Sequence, residues 1–298
     1  MNNLVGCQNN TSKITSEKIK AMKRFSLFVA IIALGMLAIR PATAQVAIAP
    51  STVFIDDQTN IGTLYVSNRS NEPQEVSIEF AFGYPSSDED GNLVMNYEDS
   101  VAFDQYAINE RIRAFPRSFV LDGGEQQTVR FQVRPDPGAD DGMYWTRVKI
   151  LANPREADIG VTAEEEITTR ITFRFEQIIA AFYKQGDVQT GLNIKEVGVR
   201  HGEDSITLMP RLERTGNAPF IGSMSARMYD GSDNLVLERQ TTTTAYFEEV
   251  RRMELDTSDL NPGDYRVELT FETRRSDISP TDLVQTPAIT ETVNVSVP

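Results

Sequence analysis

Residues that could perform acid–base, nucleophilic or metal chemistry are scarce in this chain. It contains one histidine and one cysteine, so a Cys/His zinc site lacks ligands and an internal disulfide cannot form. His201 begins the sequence His-Gly-Glu-Asp, which is typical of an exposed turn, and no serine or cysteine nucleophile motif accompanies it. The sequence therefore predicts a protein that is not an enzyme and needs no cofactor.

Acidic residues outnumber basic ones, 43 to 29, which gives a formal net charge of −14. Such a surface repels phosphate backbones and disfavours a general role in nucleic-acid binding. Two acidic clusters lie at 88–90 and 164–166. The first begins with the oxygen spacing of a calcium loop, but Leu93 occupies the position that requires glycine and position 12 is not a glutamate. A solvated turn without metal is the favoured interpretation.

The segment 167–184 offers a binding function of another kind. Its first part alternates apolar with polar or charged residues, which is the pattern of a β-strand with one apolar face. Ile171, Phe173 and Phe175 lie on that face. Either they pack into the chain's own core, or the strand lies at a sheet edge and pairs with a partner protein.

The rest of the chain must position this segment, and its pattern is also that of strands. Short alternating stretches are separated by turn formers rich in Gly, Pro, Asn and Asp, with room for only a short helical turn between Tyr97 and Arg113. This predicts an all-β fold of two Ig-like sandwiches in tandem, with domains at 45–185 and 186–298. Tyr144 and Tyr265 each follow a Gly-x pair at a strand start, so each either forms a tyrosine corner or simply packs there.

The amino-terminal segment has the three parts of a secretory signal peptide. Lys23 and Arg24 form the basic region, an apolar run covers 25–39, and 42–44 reads Ala-Thr-Ala. That run is too short for the ~30 Å hydrocarbon core of a membrane. Met22 is the predicted translation start, and the mature chain has no cysteine.

We expect cleavage after Ala44 and export to the periplasm without membrane insertion. Amino-terminal sequencing or an intact mass of the protein from the envelope fraction measures this directly. Uncleaved protein held in the inner membrane would contradict the prediction.

Several motifs of the first domain resemble the amino-terminal domain of periplasmic pilus chaperones, the PapD-like family. Residues 66–70 read Val-Ser-Asn-Arg-Ser, like the family's V-x-N-x-S. Residues 121–131 are similar to its L-x-P-G-x-x-x-x-V-R segment, with Gly123 in place of proline. Residues 181–184, Ala-Phe-Tyr-Lys, are similar to the aliphatic-F-Y-R end of its last strand. The motifs occur in the family's order and spacing.

This resemblance implies a chaperone that caps secreted pilus or surface-fibre subunits during pilus assembly, fimbrium biogenesis or cell-wall organisation. In the family, alternating apolar residues of the last strand complete the subunit's unfinished sheet. The corresponding donor positions are Ile171, Phe173 and Phe175. The implied partners are the subunits and, as a further candidate, an outer-membrane usher. The main alternative is a structural surface or adhesion component in which this strand is internal; a carbohydrate-active enzyme or lectin ranks third.

The chain also departs from the family pattern. The family anchors its client's terminal carboxylate with an arginine on the first strand and a lysine before the F-Y pair. Here the first strand has no basic residue and Ala180 occupies the lysine position, so Arg170 and Lys184 are the candidate anchors. Segment 86–113 is longer than its family counterpart, and Arg130 is expected to pair with Asp141.

Overall fold

β-Strands form nearly all the regular structure in the computed structural model, which describes residues 46–155 and 174–298. The strands of the first half are β1 (Val46–Ala49), β2 (Thr52–Asp56), β3 (Ile61–Asn68), β4 (Gln74–Ala81), β5 (Tyr84–Ser87), β6 (Leu93–Asn96), β7 (Ile112–Phe115), β8 (Ser118–Leu121), β9 (Gln126–Val133), β10 (Gly142–Pro154) and β11 (Phe175–Gln185). The described part of the chain has one α-helix, α1 (Ser100–Tyr106), and Asp99 caps its first turn by accepting the Ala102 N–H.

The strands of the second half are β12 (Thr190–His201), β13 (Ser205–Gly216), β14 (Phe220–Tyr229), β15 (Leu235–Ala245), β16 (Glu248–Val250), β17 (Met253–Asp256), β18 (Gly263–Glu272) and β19 (Ile289–Val297). Within the described ranges, no helix is long and apolar enough to cross a membrane. The predicted signal peptide lies outside the described residues.

The first half forms two facing sheets, in the orders β1-β3-β9-β7 and β2-β11-β10-β4-β8. Strand periodicity places every second side chain between them: Leu64 and Val66 are fully buried, while Tyr65 between them is exposed. The core between the sheets includes Ile78, Val129, Phe131, Val148, Ile150 and Tyr183. This is the predicted first sandwich.

The second half forms another pair of sheets. One contains β12, β13 and β16, with β17 also paired to β13, and the other has the order β15-β14-β18-β19. Their shared core includes Leu208, Phe220, Met224, Val267, Leu269 and Phe271. The prediction of an all-β chain with two sandwiches is confirmed.

Of the two interpretations open for Tyr144 and Tyr265, the structure shows the tyrosine corner for both. The Tyr144 hydroxyl donates to the Asp140 carbonyl at 2.8 Å, and the Tyr265 hydroxyl donates to the Asn261 carbonyl at 2.7 Å. Each bond spans four residues and closes the bend that leads into a long strand, β10 or β18. The two halves therefore use the same local device at equivalent places.

A third apolar cluster joins the two sandwiches into one compact unit. Trp145 on β10 is fully buried at its centre, with its ring centroid 4.6 Å from that of Tyr106 and 4.9 Å from that of Tyr246. The chain passes between the sandwiches at residues 186–189, between β11 and β12. Asn217 holds this connection by donating to the carbonyls of Asp141 and Asp187, both at 2.9 Å. The domain division at residue 185 stays a prediction.

The predicted ion pair between Arg130 and Asp141 is wrong. No salt bridge joins them in the described structure: Arg130 lies exposed on β9, opposite Thr63 of β3. Asp141 precedes β10 in the facing sheet, where its carboxylate occupies the space beside Gly186. The two residues belong to different sheets, which sequence order does not reveal.

The acidic turn at 88–90 is organised by its own backbone. The Asp88 carboxylate accepts the N–H groups of Asp90 and Asn92 and the Asn92 side-chain amide, and these bonds lower the pKa of Asp88. Among the described residues, no group of three or more His, Cys, Asp or Glu side chains is arranged to hold a metal ion. His201 lies exposed at the end of β12.

Candidate functional site

Strand β11 has an edge that is only partly paired. Its full length, residues 175–185, pairs antiparallel with β10, whereas β2 pairs with it only over residues 180–184. On the β2 side, residues 175–179 therefore have no strand partner within the described chain. Unpaired backbone N–H and C=O groups along a strand form a template for pairing with another polypeptide.

The side chains of this open edge point to two different environments. Phe175 and Ile179 lie on the face that packs against the first core, where Ile179 is buried and Phe175 partly buried. Ile178 lies on the opposite face and is 42% exposed. The predicted donor residues Ile171 and Phe173 lie outside the described residues. For Phe175, partial burial favours a contribution to the chain's own core.

A cleft cavity of about 160 Å³ opens beside the edge, between the two sandwiches. From the first sandwich it is lined by Thr52, Arg147, Ile178 and Ala180, and from the second by Tyr246 and Arg275, among others. Ala180 is the position where the family pattern has its anchoring lysine, and Thr52 is its neighbour across the β2–β11 pair. The cavity therefore lies at the position that holds the family's lysine, but its basic residues, Arg147 and Arg275, come from other parts of the chain.

Arg147 presents hydrogen-bond donors to this cleft. Its Nε donates to the Gly83 carbonyl at 3.1 Å, and its guanidinium lies 6.0 Å from the centroid of the Tyr246 ring. No salt bridge to Arg147 occurs among the described residues, and its terminal nitrogens make no hydrogen bond there. Because a guanidinium binds a carboxylate through two parallel N–H groups, Arg147 can receive an incoming carboxylate.

Arg275, the second basic residue of the cleft, is already engaged. Its Nε and Nη2 donate to the two carboxylate oxygens of Asp277 at 2.9 and 2.6 Å. This pairing lowers the pKa of Asp277, which also accepts a longer bond from the Ser51 hydroxyl. Arg275 is therefore committed to Asp277, whereas the terminal nitrogens of Arg147 have no hydrogen-bond partner among the described residues.

The predicted anchor Lys184 occupies a different environment. Its Nζ lies 5.4 Å from the centroid of the Phe54 ring and does not line the cleft cavity. Burial lowers the pKa of Lys184, partly opposed by the nearby carboxylates of Asp282 and Asp56. Arg170, the other candidate, lies outside the described residues.

Sequence reasoning missed Arg147, although β10 carries a signal for it. Val148 and Ile150 point into the first core, so Arg147 shares the other face with the buried Trp145. A basic side chain on a face that is otherwise covered by the second sandwich must find acceptors or open space. Arg147 could be predicted as a cleft residue only if it were known that the second sandwich covers this face of β10.

Comparisons with known proteins place pilus chaperones among the similar structures. No family model matches the chain, and no curated protein matches it. A chain of the CsuC–CsuE chaperone–tip adhesion subunit complex, from archaic chaperone-usher Csu pili of Acinetobacter baumannii, is 11% identical over 83% of this chain and 98% of its own, with a TM-score of 0.44.

Two further solved structures are similar to the same extent. One is the Salmonella enterica SafA pilin in complex with the SafB chaperone, at 12% identity over 85% of this chain and 99% of that chain, with a TM-score of 0.41. The other is the Pseudomonas aeruginosa CupB2 chaperone, at 10% identity over 85% and 100%, also with a TM-score of 0.41.

Proposed function

We propose that this chain is a chaperone-like protein that binds exported pilus or surface-fibre subunits by β-strand addition at β11. The observation that carries the proposal is the open edge at residues 175–179, which runs directly into the cleft where Arg147 has no salt-bridge partner among the described residues. Backbone pairing along this edge supplies affinity for an extended client strand. In this proposal Ile171 and Phe173, which precede β11 in the sequence, fill the client's unfinished sheet.

Ile178 and Arg147 give the edge its selectivity. Ile178 is the large apolar residue exposed at this edge, so a client strand that pairs there covers it. Arg147 then receives a carboxylate of the client, in place of the basic residues that the first strand and position 180 lack. Arg170 remains a second candidate for this role, whereas the position of Lys184 beside Phe54 favours a structural one.

The proposed compartment is the periplasm, reached after signal cleavage at Ala44. Exported subunits with incomplete sheets meet a chaperone there, and an outer-membrane usher is the candidate that would receive the complex. A catalytic role finds no support in the site, because the cleft side chains named above provide charge and apolar surface but no nucleophile–base pair.

A structural surface component is the second candidate function. The observation in its favour is that Phe175 and Ile179 pack against the first core, as residues of an internal strand do. In that case no client is captured, and the edge at 175–179 is covered by a neighbouring module of the same assembly.

Replacing Arg147 tests the anchor. The Arg147→Ala variant should bind client roughly 10- to 100-fold more weakly, because a charge-assisted hydrogen bond contributes about 1.5–3 kcal/mol. The measurement is the amount of exported subunit that copurifies with the tagged full chain from envelope extract, identified by mass spectrometry. Arg130→Ala is the matched control, since Arg130 is exposed and far from the cleft lining. Equal capture by both variants would exclude Arg147 as the anchor, and no captured subunit with the unmodified chain would favour the structural alternative.

A further inference from the structure

Segment 86–113 plays no part in the proposed client site. It includes a hairpin strand and a helix that expose large apolar side chains. Strands β5 and β6 pair only with each other in the described structure, and α1 follows directly. Large apolar side chains are exposed along β6 and α1, from 38% at Phe103 to 65% at Val101. This hairpin–helix surface consists of Leu93, Val94, Met95, Tyr97, Val101 and Phe103. Exposure of several large apolar side chains in one short segment indicates an interaction site.

The surface is held rigidly. The Tyr84 hydroxyl donates to Asp99 at 2.5 Å, which ties β5 to the start of α1. Phe103 packs edge-on against Phe82 of the buried interface cluster, with ring centroids 5.5 Å apart. At the hairpin, the Val250 N–H donates to the Ser87 hydroxyl at 2.7 Å. These contacts tie the hairpin and α1 to both sandwiches. The exposure of the hairpin–helix surface is therefore a property of the folded protein.

Strand β6 also has a free backbone edge. Its four residues pair with β5 in register from Asn96 opposite Tyr84 to Leu93 opposite Ser87. Within the described residues no strand pairs with its other side, and the consecutive residues Leu93, Val94 and Met95 are all exposed. An unpaired edge with apolar residues on both faces accepts an extended peptide as a third strand.

The charge within the segment that carries the surface is of one sign, and arginines of the second sandwich, Arg200 and Arg252, lie beside its turn. Between Arg69 and Arg111 the sequence has ten aspartates and glutamates and no lysine, arginine or histidine. Asp90 is paired with Arg200 of the second sandwich, but Glu89, Glu98 and Asp104 are exposed and have no salt bridge in the described structure. An apolar surface with unpaired carboxylates around it is complementary to a partner that carries both apolar and basic residues.

We propose that the hairpin–helix surface binds an extended polypeptide segment in which apolar and basic residues alternate, added as a strand to β6. The apolar side chains of the segment cover Leu93 and Met95, which share one face of β6, and its lysines or arginines lie on the other face and meet Glu89 and Glu98. This site is separate from the β11 edge, so the chain has two strand-binding edges with different partner chemistry.

The test uses a fluorescein-labelled octapeptide of alternating valine and lysine, titrated against the mature full chain at 150 mM salt and followed by anisotropy. We expect saturable binding that weakens at least tenfold in Val94→Lys, because the new charge blocks the edge and repels the peptide. Leu235→Lys is the matched control: Leu235 is 50% exposed at the start of β15, and the change in charge is the same. It should bind like the unmodified chain, as should Ile178→Asp, which alters only the β11 edge.

A second peptide, a further variant and a vesicle assay test the proposed partner chemistry. A matched valine–glutamate peptide should bind at least tenfold more weakly, and Glu98→Gln should reduce affinity for the valine–lysine peptide severalfold. Equal loss in Val94→Lys and Leu235→Lys would show a general charge effect and overturn the site. Absence of saturable binding to the peptide, or flotation with phosphatidylcholine vesicles that Val94→Lys abolishes, would overturn the choice of partner.

Discussion

Replacing Ile178 by aspartate should abolish capture of exported subunits while the protein stays folded. Ile178 is 42% exposed at the open edge of β11, so the new carboxylate remains solvated and costs little folding free energy, about 1 kcal/mol or less. A client strand paired at this edge would bury that charge without a partner, at a cost of several kcal/mol. The carboxylate also competes with the client's own for Arg147, because both residues line the same cleft.

Val120→Asp is the matched control for this experiment. Val120 is also 42% exposed and lies on β8, at the opposite edge of the same sheet. Capture from envelope extract is measured by mass spectrometry, and thermal melting is measured on the same samples. Capture retained by Ile178→Asp at an unchanged melting temperature would show that clients do not use residues 175–179. Loss of capture by both variants would indicate a general effect of added charge.

Trp145→Ala should produce the largest loss of stability among single substitutions at the interface cluster. Trp145 is fully buried, and its ring stacks on Tyr106 and Phe82 and meets Tyr246 edge-on. Removing a buried tryptophan side chain costs about 3–5 kcal/mol, since the cavity closes only in part. At about 2–4 °C per kcal/mol for a domain of this size class, the melting temperature should fall by roughly 10 °C.

This substitution also tests the proposed division at residue 185. If the cluster holds two sandwiches together, its loss exposes the connection at 186–189, and limited proteolysis should release two fragments faster than from the unmodified chain. Phe115→Ala is the control, because Phe115 is 56% exposed on β7 and should change neither measurement appreciably. A Trp145→Ala protein that melts lower but is cut at scattered positions would contradict a boundary in this segment.

The two strand edges differ in the charge that surrounds them, and therefore in the partners that they are proposed to bind. The β11 edge lies beside the cleft that Arg147 lines, whereas the segment around β6 carries the exposed carboxylates of Glu89, Glu98 and Asp104, which have no salt bridge among the described residues. Exposed edges invite self-association, and like charges around an edge oppose it. In the proposed β6 site, the same carboxylates would oppose pairing with another copy of the chain and favour a basic partner.

Local patterns in the sequence were sufficient for the strands, the sandwiches and the bends between strands. Period-two alternation places Leu64 and Val66 in a core whatever the rest of the fold does, because neighbouring side chains of a strand point to opposite faces. A corner was one of two interpretations open for Tyr144 and Tyr265, and each corner forms because the hydroxyl reaches a carbonyl four residues away. Such features depend on residues close together in the chain, so they can be predicted from the sequence without knowledge of the tertiary structure.

The functional geometry required the tertiary structure. Strand β2 pairs with β11 only over residues 180–184, which leaves residues 175–179 without a partner on that side among the described residues. The register of this pair depends on where two strands that are distant in the sequence meet. Arg147 enters the cleft because the second sandwich covers the Trp145 face of β10, and Arg130 misses Asp141 because they lie in different sheets. Sequence patterns determine which face of a strand is apolar. The surface that covers this face is determined by contacts between residues far apart in the chain, and those contacts form only in the folded protein.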